Sequence, residues 1–136
     1  WKAKVVSVGG MPLSLDDIEH GILRPVFKDP LVHYAVNCAS IGCPNIPQRA
    51  FTGATLDNQL ETAARAFVNH PRGARITDDG LTVSSIYSWF QEDFGGNDKG
   101  VIDHLRRYAG EPLKAKLGVV TEIADHSYDW SLNDVE

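Results

Sequence analysis

A two-residue rhythm runs through Lys4-Val5-Val6-Ser7-Val8, stops at Gly9-Gly10 and resumes at Met11-Pro12-Leu13, which predicts a short hairpin. The period then lengthens. Leu15, Ile18 and Ile22 recur on one side of a helix that Ser14 opens, with Asp16 and Asp17 in its first turn and Asp17 at the capping-box position. This spacing predicts a buried apolar stripe and a helix end at Leu23 or Arg24, because Pro25 disfavours helical geometry in the residue before it. Residues 31–38 fit a strand by length and by their β-branched and aromatic content, with a short buried helix as the alternative. Gly42, Pro44 and Pro47 then mark a loop. Thr55 caps an amphipathic helix with Leu56, Leu60, Ala63, Ala64 and Phe67 on one face, ending at His70-Pro71-Arg72-Gly73. Residues 74–77 and 81–84 flank Asp78-Asp79-Gly80, a hairpin signal. Ser85 opens a helix over 86–94, stopped by Gly95-Gly96, and 101–108 form another before Gly110. Residues 119–130 read as strand-like. The order β, α, β, α, ββ, α, α, β predicts one α+β domain over residues 1–136, a small and largely antiparallel sheet packed with four or more helices.

Length and charge narrow the function classes. A chain of 136 residues can bury a sizeable core without staples. Its 18 acidic and 13 basic residues leave a net charge of −5, which argues against nucleic acid or an anionic membrane as the main partner. No apolar run approaches the roughly 20 residues that span a bilayer. The chain opens at Trp1 with no charged and then apolar leader pattern, so no signal peptide is expected within it. Two cysteines suit a reducing or an oxidising compartment.

The chemistry concentrates in residues 14–44. On an α-helical wheel Asp17, His20 and Arg24 fall together opposite the apolar stripe, and a carboxylate beside a histidine can fix its tautomer. Glu19 flanks the stripe, where a half-buried carboxylate usually needs a partner. If 31–38 is a strand, His33 and Asn37 share one face and Cys38 lies on the other, roughly 16 Å along the strand from His33. A base for Cys38 then has to come from another element, with His20 the best candidate and His126 the spare. The Ala39-Ser40-Ile41-Gly42 turn after Cys38 can offer backbone N–H groups as an anion nest, lowering the thiol pKa and serving as an oxyanion hole. Cys38 and Cys43 can alternatively pair as a disulfide, and their spacing is too loose for a metal finger or a thioredoxin-type motif. No metal or cofactor is called for.

The stretches SLDDIEHGILRP, DPLVHYAVNCASIGCP, TLDNQLETAARAFVNHPRG, LTVSSIYSWFQEDFG and YDWSLN, in this order, resemble the domain of unknown function 547 family, from Trp1 to about Asn133. The resemblance implies a further N-terminal helical portion before Trp1-Lys2, so that this chain is N-terminally truncated and a partner chain can cover the surface left open. It also implies exported or periplasmic placement for many bacterial members. It carries no catalytic assignment, but Asp17, Glu19, His20, Arg24, His33, Asn37 and Cys38 all lie in its signature stretches. Two functions follow. One is a cysteine-dependent acyl-transfer or thiol-exchange site with Cys38 as nucleophile, His20 as base and Asp17 or Glu19 as orienter. His33, Asn37, Arg24, Ser40 and Cys43 are then its binding residues and a small thiol or peptide its substrate. The other is a non-catalytic binding or scaffolding module whose polar residues form a structural network.

Overall fold

The computed structural model describes residues 1–134. Gly9 and Gly10 take φ of 58° and 82°, the positive pair that a two-residue turn needs, and they join β1 (Val6–Val8) to β2 (Met11–Leu13). The strands are antiparallel, with Val6 opposite Leu13. Ser14 and Asp17 then cap each other: the Asp17 carboxylate accepts from the Ser14 N–H and hydroxyl, each at 2.6 Å, and the Asp17 N–H donates to Ser14 Oγ at 3.1 Å.

The helix that follows departs from expectation. It is a π-helix, Asp17–Phe27, and it carries Pro25 inside it rather than ending before it. A π turn holds more residues than an α turn, so the pyrrolidine ring no longer sits over the carbonyl four residues back. Lys28, at φ 50°, closes it with its N–H on the Arg24 carbonyl at 3.0 Å. The wider turn also changes which residues share a face. The Leu15, Ile18 and Ile22 stripe is not buried: Leu15 and Ile22 are exposed, and no residue of the π-helix is fully buried.

Residues 31–38 do not form a strand. Asp29 caps a 3-10 turn, Pro30–Tyr34, by accepting from the Leu31 N–H at 2.9 Å, and the chain then runs irregularly to Cys38. An Asp-Pro pair is a helix-start signal, because Asp accepts an orphan N–H and Pro has none to satisfy. This turn buries Leu31, Val32, His33 and Tyr34.

The rest packs around α1 (Leu56–Val68) and α3 (Asp98–Tyr108). Asn97 caps α3 through the Gly100 N–H at 3.0 Å. Leu60, Ala64, Phe67 and Val68 of α1 meet Val101, Ile102, Leu105 and Tyr108 of α3 in one core. Each large apolar side chain sealed there contributes about 1.5–3 kcal/mol. Over this core lies a sheet of order β3 (Ala74–Thr77), β4 (Gly80–Ser84), β5 (Asp125–Ser127). β3 and β4 are the expected hairpin, and β5 adds parallel to β4 with His126 beside Val83. Only these three residues of the strand-like 119–130 segment form a strand. The expected single helix over 86–94 is two pieces, α2 (Ile86–Trp89) and a 3-10 turn, Gln91–Phe94, and a short α4 (Leu113–Leu117) was not anticipated. The architecture is α+β with mostly antiparallel pairing. Among the described residues no helix is long and apolar enough to cross a membrane.

Candidate functional site

The loop that carries both cysteines is held by the far end of the chain. Ile41 N–H donates to the Ser131 carbonyl at 2.8 Å, Gly42 N–H to Asp129 at 2.9 Å, and Asn133 N–H to Ala39 at 2.8 Å. Ala39 takes φ 63°, and its N–H donates to Asn37 Oδ1 at 2.7 Å; Asn37 Nδ2 reaches the Pro44 carbonyl, also at 2.7 Å. Asn37 is thus a loop staple and not a companion of His33. These bonds also correct the expected anion nest. The N–H groups of Ala39, Ile41, Gly42 and Cys43 are all engaged within the chain, and that of Cys38 points at a sulfur.

That sulfur is Cys43 Sγ, 3.0 Å from the Cys38 nitrogen. Cys38 Sγ lies 2.7 Å from Cys43 Sγ, and both thiols are free. A disulfide bond is about 2.05 Å long, so the two sulfurs are in contact without being bonded. Ser40 and Tyr128 complete the cluster. Tyr128 OH is 2.8 Å from Ser40 Oγ, 3.2 Å from Cys43 Sγ and 3.4 Å from Cys38 Sγ. Gly42 makes this approach possible: a Cβ there would lie 2.8 Å from the Tyr128 ring. Burial alone would raise the Cys43 thiol, but the surrounding donors, Cys38, Ser40 and Tyr128, outweigh it and lower its pKa to about 7. Burial and the adjoining thiols push the Tyr128 hydroxyl the other way, so it stays a neutral donor. The sequence singled out Cys38 as the activated thiol; the donors gather at Cys43.

The histidines belong to a neighbouring network. His33 Nε2 lies 2.7 Å from Asp93 Oδ2, and Arg24 Nε donates to the same oxygen at 2.6 Å. The Arg24 bond, against the opposing effect of burial, holds the Asp93 carboxyl below the usual carboxylate range. His33 is 3% exposed and stacked on Phe90 with centroids 4.3 Å apart, and this burial depresses its pKa despite Asp93. It is therefore a neutral imidazole donating Nε2–H, not half of an ion pair. His20 sits exposed, with Nδ1 3.2 Å from Arg24 Nη1. Asp17 does not join it: Asp17 bonds Lys4 and Ser14, which hold its carboxyl well below the usual range. Among the described residues no imidazole nitrogen hydrogen-bonds either sulfur, and no cluster of three His, Cys, Asp or Glu residues could hold a metal ion.

One cleft of about 280 Å³ nevertheless joins the two groups. Cys38 and Cys43 line it together with Glu19, His20 and His33. The strand reading had put His33 and Cys38 on opposite faces; the 3-10 turn brings both to one cavity. Trp89, Phe90, Tyr128 and Trp130 make its aromatic wall. Asp93, Tyr128, Trp89 and Trp130 were missed as site residues. Tyr128 and Trp130 lay in the YDWSLN stretch, but nothing local reveals that the C-terminal segment returns to the cysteine loop.

This cleft is built largely by residues 1–68, which match the model of a family described as a protein of unknown function, DUF547. The chain belongs to that family. No curated protein and no solved structure matches it.

Proposed function

We propose that the Cys38–Cys43 pair carries out thiol–disulfide exchange with a small thiol, disulfide or cysteine-containing peptide that enters the cleft. The observation that carries this reading is the sulfur–sulfur contact of 2.7 Å beside the hydroxyls of Tyr128 and Ser40. Cys38 is the more exposed sulfur and Cys43 the buried one, so Cys38 is the point of entry. The pair starts with one proton and one negative charge. Cys43 thiolate takes the Cys38 proton across the contact, and the Cys38 thiolate so formed attacks a disulfide R–S–S–R′, forming the Cys38–S–S–R bond and releasing R′S⁻. The Cys43 proton passes to R′S⁻ as it leaves. Cys43 thiolate then attacks the Cys38 sulfur, closes the Cys38–Cys43 disulfide and expels RS⁻. In reverse, the donors around Cys43 make it a good leaving group. Acyl transfer is the less supported use of Cys38, because the neighbouring backbone N–H groups that would hold an oxyanion are already engaged.

Intact mass after reaction of the reduced protein with bis(2-hydroxyethyl) disulfide tests this. Wild type should lose two hydrogens without retaining an adduct. Cys43→Ser should stall as a mixed disulfide on Cys38, and Cys38→Ser should react at least about tenfold more slowly than Cys43→Ser. A non-catalytic module, to which the engagement of His33 and Arg24 with Asp93 is suited, predicts instead equal and slow reaction of both variants; that result ends the exchange reading.

A further inference from the structure

The same cleft carries features that thiol chemistry does not need. Asp16 and Glu19 both line it, half-buried, and among the described residues neither carboxylate has a side-chain hydrogen bond or ion pair. No lysine or arginine lines the cavity. Arg24, stacked over the Phe90 ring at 4.8 Å, is already neutralised by Asp93. The same cleft is lined by an aromatic cluster: Trp89 and Trp130 centroids are 5.3 Å apart, and Tyr128 lies 4.8 and 4.7 Å from them. Trp89 is 47% and Trp130 68% exposed, so both indoles offer surface to a ligand. Aromatic faces attract cations, and more strongly where water is thinned out. Carboxylates in an apolar cavity do the same over a longer range, Asp16 without a cationic side chain bonded to it and Glu19 already in the field of Arg24. A cavity near 280 Å³ holds a molecule of amino-acid or dipeptide size.

We propose that this cleft selects a cationic ligand, an amine or guanidinium carried on an apolar body, with the body against Trp89 and Trp130 and the charge facing Asp16 and Glu19. Resting on the exchange reading, the substrate of the thiol pair is then a positively charged thiol or disulfide, and an anionic one is disfavoured.

Two measurements on the reduced protein separate the two ideas. The first is binding without reaction, read by quenching of tryptophan emission. Benzyltrimethylammonium should bind at least about fivefold more tightly than benzyl alcohol, and phenylacetate more weakly than either. Asp16→Asn with Glu19→Gln should erase most of that preference, as should high salt. Trp130→Leu should weaken all three probes; being largely exposed, it should leave the melting temperature unchanged. Equal binding of cation and anion, or a preference untouched by the Asp16 and Glu19 changes, overturns the proposal. The second is the exchange rate with cystamine against dithiodiglycolate, expected to favour cystamine by about tenfold at low salt. If the ammonium probe binds as stated but neither disulfide exchanges, the cation site stands and the thiol chemistry falls. If both disulfides exchange equally fast and the probe shows no preference, the chemistry stands and the substrate class falls.

Discussion

At the scale of single residues, Tyr128 is the distant residue that touches both thiols. Its hydroxyl is within 3.4 Å of both sulfurs and of Ser40. Tyr128→Phe keeps the ring and removes one donor from Cys43. A hydrogen bond to a charged group contributes about 1.5–3 kcal/mol, and 1.36 kcal/mol moves a pKa by about one. The alkylation midpoint of the lower-pKa thiol should therefore rise from about 7 by at least about one pH unit, measured by iodoacetamide rate against pH. Gly42→Ala should act in the same direction, since the new methyl must push the ring away. The sequence made the cysteines visible as the chain's two thiols, and it made Ser40 visible as their neighbour. Which thiol is activated was not legible, because the donors reach Cys43 through a loop closure that no local pattern encodes.

At the scale of elements, the π-helix is fastened to the body chiefly by one carboxylate. Asp93, at the end of the chain's central 3-10 turn, takes Arg24 from the π-helix and His33 from the Pro30–Tyr34 turn. The π-helix itself buries no residue fully, while Val26 and Phe27 stand 67% and 58% exposed. Polar fastening thus does here what apolar packing does for α1 and α3. Asp93→Asn should cost about 1–3 kcal/mol, modest because the Arg24 side is partly solvated. Amide exchange should quicken over residues 17–27 well before it does in α3, as mass spectrometry of deuterated peptides can show. Periodicity located both hairpins, α1 and most of α3, since their turn residues and apolar spacing agree. It misjudged residues 17–38 because two signals were misread. An α-helical wheel was applied to a π-helix, and residues 31–38 were read first as a strand where Asp29-Pro30 starts a buried turn.

At the scale of the whole molecule, the buried His33 and the half-buried His104 set the response to acid. His104 Nε2 bonds Tyr34 OH at 2.7 Å, which meets Tyr87 OH at 3.1 Å, a polar thread through the core. Burial, with Arg107 and His33 adding to it, lowers the His104 pKa to about 4. An unfolded histidine titrates near 6.5. The folded state therefore refuses a proton that the unfolded state accepts. The associated stability is present in full above about pH 6.5, is lost as pH falls towards about 4, and loses nothing more below that. His33, also depressed by burial, acts with the same sign. The carboxyls of Asp17 and Asp93, held below their usual range, extend the loss to lower pH. His104→Gln should flatten the melting temperature between pH 6.5 and 4, with about 3 kcal/mol less acid loss than wild type.

The lone parallel pairing in the sheet, β5 beside β4, has a consequence for when the thiols acquire their character. Tyr128 follows β5 directly, 85 positions after Cys43. During synthesis both cysteines therefore emerge long before the phenol that tunes them. A chain stopped short of Asp125 would lack the phenol and the strand end that hold the loop, and keep only the local Cys38 and Ser40 neighbours of Cys43. The last of their donors arrives only when the tail of the polypeptide folds back across the loop made near its beginning.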